Sequence, residues 1–233
     1  MSDLVKAYEE HRQWLSALQE TADAKRLEKT CAALFDNRME AFIAEKKEDV
    51  IPLLKTLMTP GCSVSTGGSA TLDECGVIEF LRSGDYDFLD RFRTEPAQLK
   101  ELFRRALSAD CYLMSANAIT EDGLLYNVDG RGNRVAALTF GPDRVIVIAG
   151  INKIVTSLDD AVRRVKEASA PLNCRRLNQD TPCTHTGLCA GRTGGMGAGC
   201  RAESRVCNSY VVTARQGDPD RIKVILVNEP LGY

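Results

Sequence analysis

The chain is 233 residues long, with a net charge of −2 and acids and bases mixed along its length. That argues against a general nucleic-acid binder, which carries a basic stripe, and leaves a small acid, a phosphate or a protein as partner. Hydrophobic residues make up 44% of the chain, enough for a sizeable core, and no apolar run approaches the roughly 18 residues of a membrane helix. The opening "MSDLVKAYEEHRQWL" is charged from its third residue, unlike a signal peptide. The expected location is therefore the cytoplasm, without membrane insertion or nucleic acid. Thiols stay reduced there, so clustered cysteines point to metal or redox chemistry rather than disulfides.

In chain order, residues 3–19 and 23–36 read as two helices forming a hairpin, with residues 1–22 as an N-terminal extension and 23–233 as the main domain. Leu4, Tyr8, His11, Trp14, Leu15 and Leu18 recur near helical spacing, a stripe that suits intramolecular core or a docked partner. "MEAFIAE" (39–45) reads as a strand, "KKEDVIPLLKTLMTPG" as a helix ended by Pro60 and Gly61, and "CSVS" (62–65) as a second strand. "TGGSATLDECGVIEFLRSG" reads as a glycine turn and a helix, with Thr71 and Glu74 as a capping box. "ADCYLMSAN" (109–117) is strand-like. "GLLYNVDGRGNRVAALTF" reads as a hairpin turning near Asp129 and Gly130. "DRVIVIAGI" (143–151) has the continuous apolar character of a strand buried on both faces. Ser157 opens a helix to about Ala168, and "SYVVTA" and "RIKVILVN" are two final strands joined by the turn "RQGDPDR". The alternation predicts an α/β fold: a mainly parallel sheet flanked by helices, with an antiparallel hairpin and the N-terminal helical extension.

Two stretches carry candidate ligand chemistry. Thr66, Gly67, Gly68 and Ser69 lie between a strand and a helix start. There, free backbone N–H groups and glycines admit an anion, a carboxylate or a phosphate. No Lys-Ser/Thr pair follows, so this is not a Walker loop, and an ordinary tight turn is the alternative. Asn117, Thr120, Glu121 and Asp122 stand at the mouth of the next strand. A carboxylate there, Glu121 above all, serves as base, acid or substrate anchor, or is simply a solvated turn acid.

The third stretch is "TPCTHTGLCAGRTGGMGAGCRAESRVCN" (181–208), with Cys183, Cys189, Cys200 and Cys207. Four thiolates in one segment suit zinc or a four-iron, four-sulfur cluster. The long irregular gaps lack the short knuckles of zinc sites and lean towards iron–sulfur. His185 is a substitute ligand or a partner for a reactive thiolate; free thiols on a mobile loop are the remaining alternative. Between residues 173 and 208, Arg175, Arg176, Arg192, Arg201 and Arg205 outnumber Asp180 and Glu203. This excess offsets an anionic metal–thiolate centre or attracts a carboxylate substrate. Cys31, Cys62, Cys75, Cys111 and Cys174 read as small buried apolar residues.

The segments "SVSTGGSATLDECG", "EFLRSGDYDFLDRF", "NAITEDGLLYNVDGRGNRVAAL", "DRVIVIAGINKIV", "TPCTHTGLC", "RVCNSYVV" and "NEPLGY" together resemble the lactate utilisation (LUD) domain family over roughly residues 25–233. The resemblance implies a fold similar to ribose-phosphate isomerases, glucosamine-phosphate deaminases and coenzyme A transferases. It also implies a role as a subunit of a system that oxidises L-lactate to pyruvate, beside iron–sulfur and flavin-type partners. In that fold group a glycine loop after a strand holds phosphate or coenzyme A, the place of Thr66–Ser69. Glu121 is carried over as a catalytic or substrate-anchoring residue. Family members with a similar cysteine segment have a Cys-x2-Cys pair where "AGRTGGMGAG" here separates Cys189 from Cys200, so either the loop is enlarged around four ligands or Cys200 has left the set. Two other functions remain open: a non-catalytic metal-binding accessory protein, and a standalone isomerase- or transferase-like enzyme acting on a sugar phosphate or thioester.

Overall fold

The computed structural model describes residues 3–233, the side chains of residues 3–8, 10 and 11 excepted. The stripe contributions expected of Leu4, Tyr8 and His11 therefore lie outside the described residues. The N-terminal segment is one helix, α1 (Asp3–Asp36), of 34 residues, about 50 Å long at 1.5 Å per residue. Two helices were expected. The junction "QETADAKR" contains good helix formers and no glycine or proline, and the Thr21 hydroxyl bonds back to the Ala17 carbonyl at 2.9 Å, so nothing interrupts the ladder. Leu27, Thr30 and Leu34 are buried, whereas Trp14, Leu15 and Leu18 are exposed. Within the described residues the expected apolar stripe is therefore not core.

The main sheet is entirely parallel, in the order β1-β10-β7-β4-β2-β3. Its strands are β1 (Glu40–Ala44), β2 (Ser63–Thr66), β3 (Asp87–Leu89), β4 (Cys111–Met114), β7 (Arg144–Gly150) and β10 (Ile222–Val227). The central strand β7 explains the two-faced core. Val145, Val147 and Ala149 join Leu27, Leu34, Met114 and Leu138 on one face, while Ile146 and Ile148 join Leu54, Leu72 and Leu81 on the other. Side chains alternate across a strand, so a strand covered on both faces reads as an unbroken apolar run.

A second, smaller sheet has the order β8-β5-β6-β9. It contains β5 (Ala118–Thr120), β6 (Leu125–Asp129), β8 (Ile154–Val155) and β9 (Ser209–Thr213). The antiparallel hairpin of the fold is β5–β6, turning at residues 121–124. A hairpin was expected one step later, at Asp129. Instead, Asp129 accepts hydrogen bonds from the Gly132 N–H and the Arg134 side chain, and the chain enters a helix, α6 (Asn133–Thr139), which buries Val135 and Leu138 at helical spacing. The two final strands, β9 and β10, lie in different sheets rather than pairing.

The remaining helices are α2 (Val50–Leu57), α3 (Ala70–Glu74), α4 (Val77–Leu81), α5 (Leu99–Arg105), α7 (Leu158–Arg164), α8 (Ala170–Arg176) and α9 (Pro182–Thr186). The helix expected after the glycine turn is broken into α3 and α4 at Gly76, whose φ is +68°. Its cap is Ser69, accepting from the Leu72 N–H, rather than Thr71. The helix opened by Ser157 continues through a π-helical turn at residues 165–169 into α8. Among the described residues, no helix is long and apolar enough to cross a membrane.

Candidate anion-binding cleft

The strand order reverses between β2, which leads outward to β3, and β4, which leads back to β7. Ligands of open parallel sheets bind beyond the strand C-termini at such a switch point. Here β2 ends into Gly67–Ser69 and β4 into Ser115–Asn117, and a cleft of about 520 Å³ opens there. Its other walls come from the turn after β6, the end of α8, the cysteine segment and Tyr233. The cleft is strongly cationic: Arg91, Arg131, Arg134, Lys153, Arg176 and Arg205 line it against Asp129 and Glu203.

These cations are not equivalent. Arg134 is a structural strut. Its guanidinium donates to Asn127 at 2.6 Å, Val128 O at 2.8 Å, Ser115 O and Asn117 at 3.0 Å, and Asp129 at 3.1 Å. It joins the loop after β4 to β6 and the following turn. Gly67 is required beneath it, because a Cβ there would stand 2.9 Å from Arg134 Cδ. Arg176 and Arg205 are also engaged, with Tyr233 and Asn173, and with Cys200 O and Tyr210. Arg91 and Arg131 differ. Among the described residues neither makes a hydrogen bond or ion pair, and both lie over the Phe103 ring, at 5.1 Å and 6.0 Å. Arg91 also flanks Gly68, whose absent Cβ would lie 3.5 Å from its Nη1. Burial, reinforced by Arg131 and Arg176, disfavours its charge. An anion beside Gly68 relieves that penalty.

Lys153 lies beneath the cleft, 3% exposed. Its ammonium donates to Thr71 Oγ1 at 2.7 Å and Ser115 Oγ at 2.9 Å, with no carboxylate in direct contact among the described residues. Burial, then Arg164 and Arg134, pull its pKa down to about 7, against weaker opposing effects of Glu74 and Cys75. The tail from Asn228 to Tyr233 closes over it. Asn152 holds the tail at Leu231 N and Gly232 O, Glu74 accepts from Gly232 N, and Thr71 donates to Leu231 O. Gly232, at φ +58°, would bring a Cβ within 2.7 Å of Thr71 Oγ1 and 3.3 Å of Lys153 Nζ.

The LUD domain family model matches residues 27–227. The chain belongs to the LUD domain family. It is thereby a lactate-utilisation-related protein. Its fold is similar to that of a DUF162 family protein from Deinococcus radiodurans, with a TM-score of 0.51 and 15% identity over 88% of this chain and 98% of that one. Ribose 5-phosphate isomerase A from Methanocaldococcus jannaschii is more distant, at TM-score 0.34 and 16% identity over 74% and 80% of the two chains. No curated protein matches the chain.

In this LUD protein the residues singled out from sequence fall into three groups. Gly68, Ser69 and Asn117 line the cleft; Gly67 packs beneath Arg134, and Thr66 is buried with its hydroxyl unpartnered. The Asn117 side chain is committed to Val128 N and Arg134. The five-residue α3 is too short for the expected helix-end attraction, so the cleft's positive potential rests on its arginines. Glu121 does not line the cleft. Arg26 and Lys29 of α1 take up its carboxylate at 2.9 Å and 2.8 Å. The hydrogen bond from Lys29 is the largest effect holding its pKa below the usual carboxylate range.

Among the described residues, no group of three or more His, Cys, Asp or Glu is placed to hold a metal ion. Cys183 Sγ lies 3.2 Å from Thr181 Oγ1, Cys189 Sγ accepts from Gly191 N, and Cys207 Sγ accepts from Arg205. The Cys200 carbonyl, not its sulfur, is held by Arg205. His185 is exposed and paired with Asp180 at 2.7 Å. Burial, with Cys183 and Cys207 close by, raises the Cys174 thiol to about 11, so two of the four sulfurs lie near this fifth cysteine. What gathers the glycine insert is Lys166, whose buried ammonium donates to Gly191, Gly194 and Gly195 carbonyls at 2.8, 2.8 and 2.6 Å. Arg176, Arg205 and Glu203 of this region reach the cleft, so the segment forms one of its walls.

Arg91, Arg131, Arg134 and Lys153 went unread in the sequence. Only Lys153 carries a local signal, as the lone charge in "VIVIAGINKIVTSL" just past a buried strand. The arginines are ordinary surface residues until the fold brings them together.

Proposed function

We propose that this LUD protein binds a small carboxylate or phosphate-bearing ligand of lactate metabolism in the cleft over Gly68 and Ser69, as a subunit of a system oxidising L-lactate to pyruvate. The observation that carries the reading is the pair Arg91 and Arg131, two guanidinium groups in a cleft, neither ion-paired among the described residues. Planar guanidinium groups suit carboxylate and phosphate, and a charge-assisted pair contributes about 1.5–3 kcal/mol. Ser69 and Ser115 add hydroxyl groups at the same wall. No electron-transfer step is assigned to the cysteines.

Calorimetric titration with L-lactate, pyruvate and inorganic phosphate tests the proposal. At least one is expected to bind saturably, with affinity falling about 10- to 100-fold in Arg91→Gln. Saturable binding that Arg91→Gln and Arg131→Gln leave untouched would remove the cleft from consideration, and no binding of any of the three would end the reading.

A further inference from the structure

Lys153 is a buried amine in the proposed cleft that anion binding alone does not require. We infer that Lys153 is a nucleophile that captures the carbonyl carbon of an α-keto acid held in the cleft, forming an imine. The inference rests on the anion-binding reading above and adds the class of ligand and a covalent step.

Its geometry separates Lys153 from a structural lysine. Lys166, equally buried, donates to three backbone carbonyls, which hold an ammonium in place. Among the described residues, the Lys153 ammonium donates only to hydroxyls, those of Thr71 and Ser115. Hydroxyls both donate and accept, so they serve an amine in either protonation state. Each has an outlet for its own proton, Thr71 to Leu231 O at 3.3 Å and Ser115 to Ala116 O at 3.4 Å. Arg164 and Arg134 face the amine from α7 and α6, Glu74 from α3 and Cys75 from the turn after it. Burial and the cationic neighbours favour the neutral, nucleophilic form near neutral pH.

The anion anchor lies close by. Arg91 sits against Gly68 and Lys153 against Thr71, three residues further on, so the two backbone positions are at most about 11 Å apart. An α-keto acid carries a carboxylate next to its carbonyl, the two groups this wall addresses. In the step, the Nζ lone pair attacks the keto carbon and the C=O π bond opens. One N–H proton passes to that oxygen, giving a carbinolamine. The C–O bond then breaks, and the oxygen leaves as water with the second N–H proton as the C=N bond forms. Nothing is oxidised or reduced.

The test is intact-mass and peptide mapping of the whole chain after incubation with pyruvate and cyanoborohydride at pH 7, beside a calorimetric titration with pyruvate. One reduced pyruvate adduct per chain is expected, mapped to Lys153 in excess of the exposed Lys29 and Lys55, and absent when L-lactate replaces pyruvate. Lys153→Arg, checked for folding by circular dichroism, is expected to lose it; the wild-type map stands alone if that variant does not fold. Pyruvate binding without an adduct at Lys153 overturns the inference and leaves the anion reading intact. Failure of pyruvate to bind at all, with no adduct, overturns the inference too. Failure of lactate and phosphate as well takes the anion reading with it.

Discussion

At the scale of single residues, this LUD protein contrasts two buried lysines and a half-buried arginine with three different tasks. Arg134 is fully hydrogen-bonded and holds loops together, and Lys166 pins a glycine-rich insert. Lys153 is under-compensated, and its depressed pKa is a statement about stability. Its folded value, about 7, lies below the unfolded value of roughly 10.4. Below pH 7 both states carry the proton and the full penalty is present. Between about pH 7 and 10 the unfolded state binds more protons, so rising pH stabilises the fold. Relative to Lys153→Met, wild-type unfolding free energy is expected to climb across that window, with a slope approaching about 1.4 kcal/mol per pH unit. Paired denaturant melts at pH 6, 7, 8 and 9 check it; parallel curves would mean that Lys153 keeps an ordinary pKa.

At the scale of elements, two contacts set how the pieces meet. Glu121 ties the β5–β6 turn to α1 through Arg26 and Lys29. Lys29 is largely exposed, so solvent screens the pair and Glu121→Gln is expected to cost only about 1 kcal/mol. A carboxylate with a lowered folded pKa stabilises above its unfolded value of about 4.3 and loses that contribution as pH falls through the folded one. The difference between wild type and Glu121→Gln is therefore expected to shrink below pH 4, while ligand affinity at pH 7 stays unchanged. A large loss of affinity would return Glu121 to the site. The second contact is the Lys166 anchor. Lys166→Met removes three hydrogen bonds to the insert and should speed thiol labelling of buried Cys189, in the same segment, at least several-fold; unchanged labelling would show that the insert holds itself.

At the scale of the whole molecule, strand order places the chemistry. Residues 68, 91, 115, 131, 153 and 176 come from six separate segments, and they meet because β2 and β4 are neighbours whose connections run in opposite directions. The glycine turn was legible because a strand, two glycines and a helix start are local features, although the cap proved to be Ser69 rather than Thr71. The arginines were not, since a guanidinium in a loop looks the same whether it faces water or a ligand. The cysteine pattern was incomplete for a related reason. Spacing records how many thiols a segment carries, while the fold decides which sulfurs come near one another, and here Cys183 and Cys207 lie near Cys174, a residue that spacing alone assigned to the core.

The sequence by itself determined the α/β class and the continuous apolar strand at the sheet centre, because periodicity and local turn chemistry act over a few residues, and its motifs carried the family resemblance. Tertiary structure alone decided that β9 and β10 part into two sheets, and that Lys153 lies buried with no carboxylate in contact among the described residues. Each of these depends on which distant groups compete for the same hydrogen bond or apolar face, and sequence spacing does not record that competition.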